Sequence, residues 1–318
     1  MDIRNTGALR QEAARALRGL DYRKWIFLHI GITLGVGFAL TLADYLLQQQ
    51  IDTTGGLGGV GLRAILATAQ SVLQLVQLVA MPFWQMGWIA TVLRLARGQE
   101  GSMDSLLTGF RRIGPVLRLT LLQGILFFVI MLGSGYAGAT VFLMTPWAGS
   151  VVELMTQDFS ANPEAIYDAM SGAVADSMLP LLLICLGIFL LVATPVYYRV
   201  RLADMCLMDS DDGRALAAIA RSVALTKGNA WNLFRLDLRF WWFYGLNALV
   251  ALLAYGDILL KTVGILPELP AEVGFFGAYL LYAACQLGLY GWRKTLVDAT
   301  YVKAYDCLRG EKDGTACV

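Results

Sequence analysis

A chain of 318 residues that is 57% hydrophobic and only 15% charged, with mean hydropathy +0.59, lacks the polar surface of a soluble domain, where about a quarter of residues are charged. The net charge of +1 offers no basic face to a nucleic acid, because the arginines and lysines sit beside apolar runs. No polar stretch is long enough to wrap a separate core, so residues 1–318 read as a single integral membrane domain, all-α and polytopic.

Taken in chain order, six stretches reach the roughly 20 helical residues that a bilayer core about 30 Å thick requires: 25–47, 64–93, 116–144, 179–200, 236–260 and 273–294. The first continues from Trp25 without a small-residue cleavage site and reads as a retained span, not a signal peptide. Lysine and arginine gather before Trp25, between Arg94 and Arg118, between Arg199 and Arg239, and from Arg293 to Lys312. Only Arg63 and Lys261 fall elsewhere. The positive-inside bias therefore predicts both termini and two inner loops in the cytoplasm, with the protein in a bacterial cytoplasmic membrane. The outer connection 147–178 carries Glu153, Asp158, Glu164, Asp168 and Asp176 and no base. Asn162-Pro163 predicts a short helix there, either a lid or a plain connection.

Before each odd-numbered span comes an amphipathic stretch ending in a turn residue: Ala13–Gly19, Asp104–Gly109 and Arg214–Gly228. Each predicts a helix lying in the inner interface, which makes three pseudo-repeated units over about 8–98, 103–208 and 214–309.

Four constellations could carry chemistry. Gln70, Gln74, Gln77 and Gln85 share one face of the second span, where amides either bond to neighbouring helices or line a cavity. Arg118, Arg199, Arg201, Arg235, Arg239, Arg293 and Lys294 lie near the inner ends of spans three to six, where bases either cradle anionic headgroups or anchor the spans. Asp237 and Asp298 among them predict ion pairs across helices. His29 is a lone imidazole in the first span and cannot build a metal site by itself. Asp209-Ser210-Asp211-Asp212-Gly213 departs from a calcium loop, since its glycine comes one position early and Ala220 stands where the closing Glu belongs. It reads as capping for the stretch that follows. Gly31, Gly35 and Gly37, then Gly133, Gly135 and Gly138, offer small surfaces for helix contact, and Pro82 and Pro195 predict kinks.

The five cysteines form neither a CxxC pair nor zinc-ligand spacing, and GxSxG, Walker and HExxH patterns are all missing from the sequence. The expectation is a protein without catalytic activity, cofactor or metal.

Specific segments carry a resemblance. Ala14-Arg15-Ala16-Leu17-Arg18-Gly19, Leu95-Ala96-Arg97-Gly98 with Leu107-Thr108-Gly109-Phe110, and above all Ser222-Val223-Ala224-Leu225-Thr226-Lys227-Gly228-Asn229 leading to Leu233-Phe234, with the late Thr300-Tyr301 and Ala304-Tyr305, resemble the bacterial membrane-protein family known as domain of unknown function 975. The resemblance covers nearly the whole chain. It implies a six-helix membrane protein distantly similar to membrane domains beside some glycerophosphodiester phosphodiesterases, whose soluble catalytic domain this sequence has no room for. The functional expectation is transport or handling of a lipid or other amphipathic substrate through a cytoplasm-facing cavity, with membrane lipids as partners. The competing expectation is a structural or regulatory partner subunit of another membrane complex.

Overall fold

The computed structural model describes residues 3, 5–53, 60–149, 163–210, 213–253 and 271–312, and their regular elements are all helical. In chain order these are α1 (Thr6–Ala16), α2 (Tyr22–Thr53), α3 (Val60–Ala96), α4 (Met103–Leu106), α5 (Thr108–Arg111), α6 (Ile113–Leu143) and a 3-10 turn at Pro146–Ala148. They continue with α7 (Pro163–Val200), α8 (Ala203–Met208), α9 (Ala215–Thr226), α10 (Ala230–Arg239), α11 (Trp241–Leu253), α12 (Ala271–Leu289), a π turn at Tyr290–Lys294 and α13 (Thr295–Lys312). The chain gathers into two compact units, one of residues 1–119 with 202–318 and one of residues 120–201.

Four helical stretches among the described residues are long and apolar enough to cross a membrane: Tyr22–Gln50, Gly61–Ala96, Ile113–Leu143 and Ser177–Met208. They match the first four expected spans. Large apolar side chains along them, Ile65, Leu78, Ile125 and Leu191 among others, stand exposed. In water such a surface would aggregate, whereas in lipid it is solvated and the helices satisfy their backbone groups internally. The fifth expected stretch divides, because α10 ends at Arg239 and α11 starts at Trp241, and its remainder falls in 254–270, outside the described residues. The sixth runs through α12 into the π turn.

Burial in the first unit concentrates around the Arg94 end of α3. Phe83, Trp84, Trp88, Val92 and Leu95 are buried there, with Leu106 of α4, Leu202 and Leu207 beside and on α8, and Val302 and Tyr305 of α13. Helix α3 packs against α2, α4, α5, α8 and α13, so it is the axis on which the shorter helices are laid. Asn5 starts α1 by accepting from the Ala8 amide at 3.1 Å, Leu9 and Ala13 are buried, and the helix packs against α13, α10 and α3. Ser102 starts α4 through a reciprocal box, its hydroxyl accepting from Ser105 N–H at 3.1 Å while the Ser105 hydroxyl accepts from Ser102 N–H at 3.2 Å.

Gly19 and Gly228 adopt φ of +85° and +81°, left-handed values that end the α1 and α9 segments where the sequence predicts a turn. Gly109 is different. It lies inside α5, and a Cβ on it would stand 1.9 Å from the Phe83 carbonyl oxygen, while one on Gly87 would stand 1.7 Å from the Leu106 carbonyl oxygen. Its lack of a side chain serves close approach to α3, not a turn. The second amphipathic stretch is accordingly two one-turn helices pressed onto α3.

In the second unit, helix α7 begins at the expected Pro163 but runs unbroken to Val200, so no separate short helix forms from that start. Residues 150–162 lie outside the described residues. A Cβ on Gly138 would meet Cys185 Sγ at 2.5 Å, which marks where α6 and α7 approach; Gly133 and Gly135 have open space instead. In the first unit Gly37 would touch the Tyr279 hydroxyl at 3.4 Å, and Gly31 and Gly35 meet nothing. The small-residue surfaces expected on spans one and three thus shrink to two single contacts.

Candidate functional site

Helices α2 and α3 cross at an aromatic stack. The His29 imidazole stacks nearly parallel to the indoles of both Trp84 and Trp88, with ring centroids 5.2 and 4.8 Å away. Each such pair contributes about 0.5–1.5 kcal/mol beyond the area it buries. Trp84 Nε1 donates to Thr33 Oγ1 at 2.8 Å, and that hydroxyl donates in turn to the His29 carbonyl at 2.7 Å. Trp88 Nε1 reaches the other way and donates to Asp298 Oδ2 at 2.7 Å, where Lys294 Nζ also arrives at 3.1 Å. Helices α2, α3 and α13 are tied together through these polar edges of an otherwise apolar cluster.

The π turn inserts into this junction. Its wider winding re-aims Tyr290, Arg293 and Lys294, and π turns recur at functional positions because the ladder is interrupted there. Arg293 stacks its guanidinium 4.4 Å over Trp292, and Lys294 lies 5.2 Å over Tyr290.

Two cavities open beside the stack. The larger, of about 220 Å³, is lined by the polar side chains of His29, Thr33, Gln85, Tyr282, Gln286 and Tyr290 together with Ile30 and Leu34. The smaller, of about 100 Å³, is apolar, and Ile32, Val36, Leu40, Gln77, Met81 and Phe110 are among its lining residues. Thr33 lines both. Gln286 Nε2 donates to Asn247 Oδ1 of α11 at 3.1 Å, while its Oε1 and the Nδ1 of His29 are buried with no hydrogen-bond partner among the described residues.

The glutamine face therefore divides. Gln85 lines the polar cavity and Gln77 the apolar one; Gln70 and Gln74 line neither, and Gln74 is exposed. The basic residues also go separate ways. Lys294 meets Asp298, Arg293 covers Trp292, Arg239 donates to Thr6 Oγ1 at 3.2 Å, and Arg201 lies over Tyr197 and Tyr198. Arg118, Arg199 and Arg235 are exposed. Asp298 pairs with Lys294 one turn away on the same helical run, and its bond across helices is to the Trp88 indole. Asp237 accepts the hydroxyls of Tyr301 on α13 and, at 3.2 Å, Tyr244 on α11.

A second polar cluster escaped the sequence reading. Arg97 Nη1 meets Asp209 Oδ1 at 2.6 Å and its Nη2 meets Asp306 Oδ1 at 2.7 Å; Arg309 also pairs with Asp209, and the Tyr305 hydroxyl donates to Asp209 Oδ2 at 3.1 Å. Burial by itself pushes the Asp209 carboxyl up, but the hydrogen bond and charge of Arg97, with Tyr305 and Arg309, hold it below the ordinary carboxylate value. The bond to Asp209 raises the Arg97 guanidinium against the effect of burial, and burial raises the Tyr305 phenol. Asp209 ends α8 and is not the cap of α9, whose first residue follows Arg214 without a side-chain cap; Asp211 and Asp212 lie outside the described residues. Nearby, Arg112 Nη1 donates to the carbonyls of Leu207 and Ser210, closing the C-terminal end of α8. Only the spacing of Tyr305, Asp306 and Arg309 on one helix hints at this clasp, since the partners are far away in sequence.

No group of three or more His, Cys, Asp or Glu side chains gathers as metal ligands among the described residues. The model of the family described as protein of unknown function, DUF975, matches residues 8–266. The chain belongs to this family. The matched part of this DUF975 chain runs from within α1 past the end of α11 and takes in the Arg97–Asp209 pair, and it ends before α12, which supplies Tyr282 and Gln286 to the larger cavity. No curated protein and no solved structure matches the chain.

Proposed function

We propose that this DUF975 protein is a noncatalytic membrane protein that holds, and passes across or along the bilayer, an amphipathic molecule taken up through a cavity facing the cytoplasm. The observation that carries this reading is the pair of cavities meeting at Thr33, one polar and one apolar. A molecule with a polar head and an aliphatic chain matches both at once, with the chain along Ile32, Val36, Leu40 and Met81. A dry, packed interior would have favoured the alternative, a subunit that serves only as partner to another membrane complex.

The reading takes the chain as six spans, with α11 and α12 contributing the fifth and sixth, in a bacterial cytoplasmic membrane with both termini inside. Lipid partners surround the spans. The lysine and arginine partition supports this orientation, and exposed Trp231, Trp241 and Trp292 are suited to the headgroup level beside it. It also takes α1 with α2 and α9 with the helices after it as two of three related units, supported by the matching left-handed turns at Gly19 and Gly228.

Reconstitution into vesicles with fluorescent lipids tests the function. Movement of labelled lipid should exceed that in protein-free vesicles and should fall when Thr33→Trp fills the junction of the two cavities. Flux equal to that of empty vesicles for every lipid, together with no lipid retained by the purified protein, would remove the proposal.

A further inference from the structure

The lining of the larger cavity discriminates among headgroups. His29 is 2% and Gln286 5% exposed, both side chains line the cavity, and His29 Nδ1 and Gln286 Oε1 have no hydrogen-bond partner among the described residues. Polar atoms held out of water without a partner are destabilising, and a ligand supplying the missing hydrogen bonds relieves that. The amide oxygen of Gln286 can only accept, so the ligand must donate to it.

Charge points the same way. Among the described residues, no Asp, Glu, Lys or Arg lines the cavity. Of the neighbouring charges, Lys294 and Asp298 close on each other at 3.1 Å, Asp298 also receives the Trp88 indole N–H, and the Arg293 guanidinium lies over Trp292 and does not line the cavity. A phosphate or carboxylate brought here would be buried without a counter-charge of its own, which is unfavourable, and a lone ammonium would be equally unpaired. Hydroxyls suffer no such penalty, and the amide of Gln85 and the phenols of Tyr282 and Tyr290 can both donate to and accept from them. A volume of about 220 Å³ is below the roughly 300–1,000 Å³ of pockets that enclose a whole ligand, so it suits a headgroup.

We infer that the larger cavity takes an uncharged, hydroxyl-bearing headgroup, with Gln286 and His29 as its buried hydrogen-bond partners. The inference rests on the amphipathic-ligand reading above and narrows it to neutral heads.

Binding to the purified full-length protein in detergent, followed by native mass spectrometry, tests it with three probes: dioleoylglycerol, dioleoyl phosphatidic acid and free glycerol. Dioleoylglycerol should bind at least about ten-fold tighter than phosphatidic acid, a difference that a single unpaired buried charge is enough to produce. Gln286→Leu should weaken dioleoylglycerol by about five-fold, the effect of one net hydrogen bond. Gln85→Leu, at an exposed position less exposed to folding defects, should weaken it similarly, and Gln74→Leu, which lines neither cavity, should leave it unchanged. Phosphatidic acid binding as tightly as dioleoylglycerol, or both cavity variants binding as wild type, would overturn the neutral-headgroup inference and leave the amphipathic-ligand reading standing. Neither chain-bearing probe binding would overturn both. Glycerol binding as tightly as dioleoylglycerol would support the headgroup chemistry and name a free polyol as its source.

Discussion

Arg97 and Asp209 stand 112 positions apart and meet at 2.6 Å, with Asp209 only 10% exposed. The pair joins the end of α3 to the end of α8, and Arg97 extends the link to α13 through Asp306. Burial makes the carboxylate dependent on its partners, since removing one side of a buried pair leaves the other charge uncompensated.

Asp209→Asn should therefore lower stability by about 1–3 kcal/mol, less than for a fully buried pair because Arg97 and Arg309 retain contact with water. Asp104→Asn breaks the Arg111–Asp104 pair, in which both side chains are more than half exposed, and should change stability by under about 0.5 kcal/mol. Thermal unfolding of the two variants in the same detergent compares them. Equal melting temperatures would refute the distinction.

The same cluster sets two pH limbs. The Asp209 carboxyl is depressed in the folded state, so its contribution is present above the unfolded carboxylate value of about 3.9 and is lost as pH falls through the lower folded value. The Tyr305 phenol is raised, so its contribution is intact below the unfolded value of about 10 and declines as pH rises beyond it toward the folded value. Melting temperature against pH should show Asp209→Asn flattening the acid limb and Tyr305→Phe flattening the alkaline one.

Gly87 and Gly109 let α3 touch the α4–α5 segment backbone to backbone. Alanine at either must displace a carbonyl group and should cost about 2 kcal/mol or more, as overpacking against an unyielding neighbour does. Alanine at Gly124 or Gly245, where a Cβ meets nothing, should be neutral or stabilise by up to about 1 kcal/mol through helix propensity. Urea or thermal titration of the four variants separates the two classes.

For orientation, single cysteines placed at Arg18 and Lys227 in a background stripped of native cysteines should resist membrane-impermeant maleimide in intact cells and react after permeabilisation. A cysteine at Asp158 should react without permeabilisation. Labelling of Lys227→Cys from outside would reverse the proposed topology.

The glutamine face shows how far a one-dimensional pattern reaches. Helical spacing places Gln70, Gln74, Gln77 and Gln85 together, yet Gln77 and Gln85 line the two cavities and Gln70 and Gln74 line neither, because the buried side chains of α3 concentrate toward its Arg94 end. The basic set shows the converse. Arg293 and Lys294 are legible as charges at a span end, but the winding of the π turn determines that one covers Trp292 and the other meets Asp298. Gly109 reads as a turn beside Phe110 and proves to be a contact with Phe83, which no local pattern encodes.

By itself the sequence determined the helical character, four membrane-long helices and the asymmetric placement of charge, since hydropathy and helical period are properties of neighbours along the chain. The tertiary structure alone decided that His29 stacks on Trp84 and Trp88, that Arg97 clasps Asp209, and that Thr33 lines both a polar and an apolar cavity. Those relationships join residues tens to hundreds of positions apart. Many helices present compatible side chains, and which of them meet depends on how the whole set packs.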